Sequence, residues 1–500
     1  MGAATLPAGG SLDPRGAQAA WTSHLVVTVA VALPGCLRCW WAFDPAPWEP
    51  ATELLVLGAV AWCLVSWRVA SGTLFHPYAL FLVSLSAFHA GQVCVSRLDP
   101  AVPMLKGAYT AAELAAALYF VTLCLLGLHA GALAGLLHSA RRAGRPLPRW
   151  PELEPELRLV GWVLIAISFL PLMFYLKDCL VEARRSGYHT MMMVKNATAT
   201  TGAGAIGKRL MMFFVPAALM VIAATRDRRR ERNLAAGLLA GTLVILLLTG
   251  WRSVSFGPAL GLLWLWHHAH GRLRLGRWAL LGAVLVLVVF PAIGILRGLA
   301  SVGVAVSPKM LANLASPVRF LLAQVGENLI NVVQTMELVP AHRPHLWGAG
   351  YLWSLLIVFP NWTGGVHPAQ QAVAFEAYTQ STLRPFFYAQ GLGNGYSVLA
   401  EAYFNFGWIG APLFLAFCGW LLVRVVAWAE LAGNTLGLAA VSATMYQLLL
   451  LPRAQFSDLV RGVSWFVGLP LAAALWLHWQ RVRATALLRE PAPTLGEVHG

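Results

Sequence analysis

Stretches of about twenty mainly apolar residues recur along this chain, and they restrict its fold more than any other feature. A helix that crosses a membrane needs about 20 such residues, and only 11% of the 500 residues are charged, against about 25% in a typical soluble domain. The sequence therefore predicts an all-α polytopic membrane protein. The twelve candidate spans are roughly residues 21–41, 52–70, 74–95, 110–138, 158–177, 210–225, 234–250, 254–268, 278–297, 407–427, 435–452 and 463–480. Because the eighth is short and the first contains Arg38, the expected number of transmembrane helices is about 12 (10–12).

The net charge of +15 comes largely from basic clusters in short loops after the fourth, sixth and eighth spans, at 141–149, 226–232 and 272–277. Short basic loops of this kind are typical of the cytoplasmic side of a membrane. They predict that both termini are cytoplasmic and that residues 298–395 lie on the outer side. Clusters that follow membrane topology in this way do not favour nucleic acid as a partner.

Five regions follow from this topology: a disordered N-terminus (1–20), nine spans (21–297), a large outer loop (298–395), three further spans (396–480) and a cytoplasmic tail (481–500). Within the outer loop, apolar residues at steps of three and four predict an amphipathic helix over 311–333. The apolar core of 347–361 is too short to span, so it predicts a re-entrant or interfacial helix ending at Pro360.

The stretch GLGNGYSVLAEAYFNFGWIG, residues 391–410, places polar groups at the start of a late span. Glu401 and Asn405 are four residues apart, so a helix puts them on one face. An ionisable residue in a membrane-associated segment is a functional candidate by default. The alternative is that Glu401 forms a structural ion pair with an arginine on the outer side.

Other polar residues on the outer side could bind a ligand. The arginines in question are Arg252, Arg297, Arg319, Arg453 and Arg461, and the aromatic and amide residues are Asn361, Tyr378, Asn394, Tyr396, Tyr403 and Asn405. Arginines can be solvated or snorkel at the interface, or they can hold an anionic ligand. Arg453 and Arg461 could also pair with Asp458. Aromatic faces and amides together suit sugar rings, although an ordinary ordered loop has a similar composition.

The late stretch resembles the signature of the Wzy-type O-antigen polymerases, or oligosaccharide repeat-unit polymerases, in which a glycine-rich segment leads into A-E-x-Y-x-N-F-G before a late span. Three further segments resemble the family: FHPYALFLVSLSAFHAGQ (75–92), LLLTGWRSVSFGP (246–258) and WGAGYLWSLLIVFP (347–360). The resemblance covers residues 50–480. One departure is the bulky Trp251 before Arg252, where the family more often has small or polar residues.

This resemblance implies a glycosyltransferase that moves a growing glycan from undecaprenyl pyrophosphate onto a lipid-linked repeat unit, at the outer face of the bacterial inner membrane. It implies no cofactor and no metal. The implied partners are the lipid-linked donor and acceptor, the bilayer and a chain-length regulator. In this scheme the five arginines bind pyrophosphate, and Glu401 is catalytic, either as the general base or by orienting the acceptor. Asn405 holds a sugar hydroxyl or Glu401 itself.

Two other functions remain open from the sequence. An O-antigen ligase uses the same donor and has a similar arrangement of spans and a long outer loop, but the A-E-x-Y-x-N-F-G run favours a polymerase. A transporter or flippase for lipid-linked sugars is often built from two repeats, and the two halves of this chain show no such similarity.

Overall fold

The computed structural model describes residues 14–41, 49–100, 104–142, 153–198, 202–248, 251–289, 292, 317–359, 367–385, 395–431 and 434–487. Its helices up to residue 289 are α1 (Pro14–Trp41), α2 (Glu49–Ser71), α3 (Pro77–Leu98), α4 (Ala111–Arg142), α5 (Glu154–Thr198), α6 (Gly202–Met211), α7 (Phe214–Ala223), α8 (Arg229–Leu248), α9 (Arg252–Ala269) and α10 (Leu275–Val284). The later helices are α11 (Pro317–Gly326), α12 (Leu329–Leu338), α13 (Ala349–Leu356), α14 (Pro368–Ala372), α15 (Phe375–Leu383), α16 (Val398–Leu431), α17 (Thr435–Leu450), α18 (Phe456–Val463) and α19 (Leu469–Leu487).

Ten segments of the described chain are helical, long enough and apolar enough to cross a membrane. They correspond to ten of the twelve predicted spans and confirm a polytopic all-α membrane protein. The two remaining predictions fall on α9, which is 18 residues long and includes Arg252 and two histidines, and on α10, which continues into a π-helical turn over Leu285–Val289. Neither helix is among the ten candidate spans. Residues 290, 291 and 293–297 of the predicted ninth span lie outside the described part of the chain.

Two apolar cores hold the bundle together. The first is built mainly from α2, α3, α4, α12 and the first half of α16, and the second from α5, α7, α8, α9 and α17. Apolar side chains buried between the helices stabilise the bundle. The backbone hydrogen bonds are made within each helix, as a bilayer requires.

The closest helix contact in the first core joins α4 to α16 through small residues. Gly127, Gly131 and Gly135 lie one turn apart on α4, and a Cβ added to any of them would collide with the backbone of α16. Across the contact, Gly419 of α16 has the same relation to α4. Small residues let two membrane helices approach backbone to backbone. We refer to Gly127, Gly131, Gly135 and Gly419 as the glycine seam.

The helix α16 is not continuous, because Gly407 interrupts it with φ +64° and ψ −156°. A positive φ of this kind is accessible to glycine without steric cost. The break separates a short first part, which contains Glu401 and Asn405, from the apolar stretch that follows. The predicted start of this span at residue 407 therefore coincides with a change of helix direction.

The segment between α10 and α16 is partly helical. The amphipathic helix that was predicted over 311–333 is divided into two helices in its described part. Residues 311–316 lie outside the described part, and the rest forms α11 and α12, which are separated at Glu327 and Asn328. The break lets the two helices pack differently: Gly326 lies against the backbone of Gly91 in α3, while α12 packs against α16 and α15. The polar side of α12 is also buried, since Asn331 is 0% exposed.

The basic clusters and Glu401 lie near opposite ends of α16. Close to its C-terminal end, Arg424 Nη1 donates to Ser139 Oγ at 2.9 Å, next to the arginines that end α4. Glu430 Oε1 lies 3.2 Å from His268 Nε2, just before the basic cluster ahead of α10. Glu401 lies at the opposite, N-terminal end. This arrangement is compatible with the predicted topology, whose orientation in the membrane stays a prediction.

Candidate active site

Asn405 connects the segment 347–351 to the first part of α16, just before the break at Gly407. The backbone N–H of Trp347 donates to the Asn405 carbonyl oxygen at 2.7 Å, and the N–H of Gly350 donates to Asn405 Oδ1 at 3.0 Å. The Asn405 amide in turn donates to the Glu401 carbonyl oxygen at 2.9 Å. The predicted helical spacing of Glu401 and Asn405 is thus observed, but the amide contacts the Glu401 backbone. Asn405 is 0% exposed and joins the WGAGY segment to α16.

The carboxylate of Glu401 is fully buried, with 0% exposure, and it contacts the start of α18. Its Oε2 accepts a hydrogen bond from the backbone N–H of Phe456 at 2.6 Å. Phe456 is the first residue of α18, and the first N–H groups of a helix have no acceptor within the helix. A carboxylate at this position also interacts favourably with the helix dipole. The other oxygen, Oε1, has no hydrogen-bond partner among the described residues.

The early span joins the same region through His89. Its Nδ1 faces the carbonyl oxygen of Leu85 at 2.9 Å and therefore carries the proton. Its Nε2 then accepts from the Ser397 hydroxyl at 2.7 Å. The Ser397 oxygen itself accepts the N–H groups of Leu399 and Ala400 at the start of α16. Three of the four segments that carry the family resemblance therefore meet around residues 397–405.

A cavity of about 360 Å³ opens beside this junction, between α14, α15 and α18. Its lining residues are Ile357, Gln370, Val373, Ala374, Glu376, Ala377, Gln380, Gln455, Ser457, Asp458 and Arg461. The size is within the range of about 300–1,000 Å³ that is usual for small-molecule sites. Two carboxylates, one guanidinium and three amides converge here, a set that can bind hydroxyl groups and an anion together.

The two carboxylates of the cavity differ in how they are held. Asp458 Oδ2 accepts the N–H of Gln455 at 3.3 Å and completes a capping box at the start of α18. Glu376 Oε1 accepts a long hydrogen bond of 3.3 Å from the Gln380 amide, which also donates to the Gly395 carbonyl oxygen at 3.0 Å. The backbone of Gly395 is a second hydrogen-bond partner of the Glu376 carboxylate.

The pKa of the Glu376 carboxyl is raised above its ordinary value. Partial burial is the main cause, and the nearby negative charge of Asp458 adds to it. The positive charge of Arg453 and the hydrogen bonds from Gln380 and the backbone of Gly395 act in the opposite direction. A carboxylate with a raised pKa beside a cavity is suited to proton transfer.

The predicted pyrophosphate-binding arginines separate into two groups. Arg461 lines the cavity, and Arg453 packs so closely on Gly395 that a Cβ there would lie 2.9 Å from Arg453 Cγ. Arg252 and Arg319 instead contact the region of α11: Arg252 Nη2 donates to Gln324 Oε1 at 2.9 Å, and Arg319 Nη1 lies 2.6 Å from Asp99 Oδ2. Arg297 lies outside the described residues.

Most of the predicted sugar-binding residues have contacts within the protein. Tyr396 is buried, and its hydroxyl lies 2.9 Å from Thr335 Oγ1. Tyr403 is buried, with its ring against Phe120. Tyr378 is half-buried and lies under the guanidinium of Arg343, 4.4 Å from Arg343 Cζ to the ring centroid. Asn361 and Asn394 lie outside the described residues.

Glu376 and Gln370 were not among the residues predicted from the sequence. One signal was available, since Glu376 is the only acidic residue between 361 and 396. The position of α14 and α15 opposite α18 was not visible from the sequence, and without it no cavity could be assigned.

The profile of a family described as O-antigen polysaccharide polymerase Wzy matches residues 53–481 of the chain, which are 429 of its 500 residues. The matched range contains all four segments that carry the resemblance, and it confirms that resemblance. Neither the curated proteins nor the solved structures give a match.

Proposed function

Since the chain belongs to the Wzy O-antigen polysaccharide polymerase family and is a multi-pass membrane protein, we propose that it extends a polysaccharide on a lipid carrier. The growing glycan is transferred from undecaprenyl pyrophosphate to the non-reducing end of a lipid-linked repeat unit, at the outer face of the bacterial inner membrane. The observation that carries this proposal is the polar cavity between α14, α15 and α18, beside the junction of three family segments.

The residues of the cavity suit both the binding of sugar hydroxyls and the stabilisation of the leaving pyrophosphate. Sugar hydroxyls donate and accept hydrogen bonds, and the amides of Gln370, Gln380 and Gln455 can do the same. Arg461 supplies a fixed positive charge with a planar fork that matches phosphate. Negative charge develops on the leaving pyrophosphate during transfer, so a cation placed there lowers the barrier. Arg453 is assigned to the same group, while the contacts of Arg252 and Arg319 favour a structural role.

For Glu401, the geometry favours orientation of the acceptor site over proton transfer. Its carboxylate is buried and holds the N–H of Phe456, and the next residues of α18 line the cavity. The residue therefore acts through the position of α18. Asn405 has a comparable role, because it anchors Gly350 and Trp347 beside α16.

The orientation of the site is tested by phosphatase fusions. We expect a fusion at residue 345 to be active and one at residue 229 to be silent. The separation of the basic clusters from Glu401 along α16 supports this expectation. The reverse pattern would put the cavity on the side where the pyrophosphate-linked donor is not presented, and it would contradict the proposal.

The activity is tested by deleting the gene and separating the surface polysaccharide on a gel. A polymerase leaves molecules that carry one repeat unit and removes the ladder of longer chains. Loss of every repeat unit would instead indicate a ligase or a flippase. Purified protein in proteoliposomes with lipid-linked repeat units should form the ladder without any other enzyme.

A further inference from the structure

We propose that Glu376 is the catalytic base of this site, the group that takes the proton from the attacking sugar hydroxyl. This assignment rests on the proposed polymerase function, and it moves the proton-transfer role from α16 to α15. It identifies a residue that the family resemblance did not indicate.

Three carboxylates lie near the cavity, and their contacts distinguish them. Glu401 is fully buried, does not line the cavity and is bound to the N–H of Phe456. Asp458 lines the cavity, but it caps α18 through the N–H of Gln455. Protonation of a carboxylate that caps a helix weakens its hydrogen bond and its interaction with the helix dipole, and so destabilises that helix end.

Glu376 is held differently from both, since its hydrogen bonds, with Gln380 and with the backbone of Gly395, do not cap a helix. It is half-buried, lines the cavity and accepts a long hydrogen bond from Gln380, one turn along the same helix. The Gln380 amide is also bound to the Gly395 carbonyl oxygen, so it limits the rotation of the carboxylate without neutralising it. A base must be held within reach of the proton and still be free to accept it.

The reaction step is a displacement at the anomeric carbon of the donor sugar. The acceptor hydroxyl oxygen forms a bond to that carbon, and the bond between the carbon and the pyrophosphate oxygen breaks. The electron pair of the broken bond leaves with undecaprenyl pyrophosphate, whose charge Arg461 stabilises. The hydroxyl proton moves to Glu376 and from there to water at the mouth of the cavity.

The surroundings of Glu376 determine its pH dependence. From α18 it faces Asp458 and, across the cavity, Arg461; from the turn before α18 it faces Arg453, and from the residues before α16 it faces the Tyr396 hydroxyl. Its own helix contributes the neutral Gln380. Since burial and Asp458 raise the pKa of Glu376, and since a base works only when deprotonated, activity should increase as the pH rises through this raised pKa.

The experiment compares Glu376→Gln with Glu337→Gln in proteoliposomes that contain lipid-linked repeat units. Glu337 is an exposed carboxylate on α12 that does not line the cavity, so its replacement controls for the loss of one charge. We expect Glu376→Gln to lower kcat/KM for chain extension by about 10²–10⁴-fold, as is typical for loss of a general base. Its melting temperature and its binding of the lipid-linked repeat unit should stay within error of the wild type. The acid limb of the pH profile should disappear in this variant and remain in Glu337→Gln.

Chain extension by Glu376→Gln within a few-fold of the wild type would overturn the proposal, and so would a wild-type profile without an acid limb. If Glu376→Gln does not fold, Glu376→Asp is tested instead. Its shorter side chain should lower kcat, and the acid limb of its pH profile should remain. An unchanged kcat in that variant contradicts the assignment. A wild-type protein that does not extend lipid-linked repeat units refutes the proposed function itself, which is a separate result.

Discussion

Truncation of Glu401 should loosen the start of α18. In Glu401→Ala the part-buried N–H of Phe456 loses its hydrogen bond to Glu401 Oε2, and a donor left unsatisfied away from water costs about 1–3 kcal/mol. If α18 opens locally, this corresponds to about 5- to 150-fold faster amide exchange. Glu401→Gln retains an oxygen that can accept the same N–H, so its effect should be smaller than that of Glu401→Ala.

Hydrogen–deuterium exchange of a peptide covering residues 455–463 measures this effect directly, in detergent or nanodiscs. A peptide from the centre of α4 serves as the internal reference, because it lies in the apolar core. Wild-type exchange at 455–463 in Glu401→Ala would refute the assigned role. If Glu401→Gln abolishes chain extension with normal exchange and melting temperature, then Glu401, and not Glu376, is the base.

Three further changes test other parts of the structure. In Gly350→Ala a Cβ would lie 2.8 Å from Asn405 Oδ1, so we expect about 1–3 kcal/mol of destabilisation from overpacking, measured as a lower melting temperature. Arg461→Lys keeps the charge but loses the planar fork. The value of kcat/KM for chain extension should then fall about tenfold at a normal protein level, the equivalent of one charge-assisted hydrogen bond of about 1.5 kcal/mol. Unchanged kinetics would exclude Arg461 from pyrophosphate binding. Gly131→Val should prevent the close approach of α4 to α16 and remove folded protein from the membrane, whereas Gly58→Ala on α2, where a Cβ meets nothing within 4 Å, should be neutral.

Apolar length alone predicted the membrane helices well, because the requirement that a bilayer places on a helix is local and depends on about 20 consecutive residues. The spacing of Glu401 and Asn405 was likewise a local property of one helix turn. The prediction for residues 311–333 was less accurate, since periodicity cannot show that Asn328 reaches a different partner, the carbonyl oxygen of Pro452 at 2.8 Å. That contact accompanies the break between α11 and α12.

The candidate site was predicted only in part, for a related reason. Glu376 and Asp458 are 82 positions apart in the sequence, and only the packing of α15 opposite α18 brings them to one cavity. The sequence assigned Arg252, Arg319 and Arg461 alike to pyrophosphate because each is a cation on the expected outer side, although Arg461 could also pair with Asp458. Their partners Gln324 and Asp99 distinguish them, and those pairings depend on tertiary contacts.

The glycine seam and the cavity lie on different elements of the fold. The seam belongs to α4 and α16, whereas the polar lining of the cavity comes from α14, α15 and the start of α18. A substitution such as Gln370→Asn or Gln455→Ser changes the hydrogen bonds offered to a sugar and leaves the seam untouched. Under the proposed function, the scaffold and the sugar selectivity of this protein can therefore diverge separately. A single helical frame would then serve chemically different repeat units, and exchange of residues 368–383 between relatives would be a rational route to new polysaccharides.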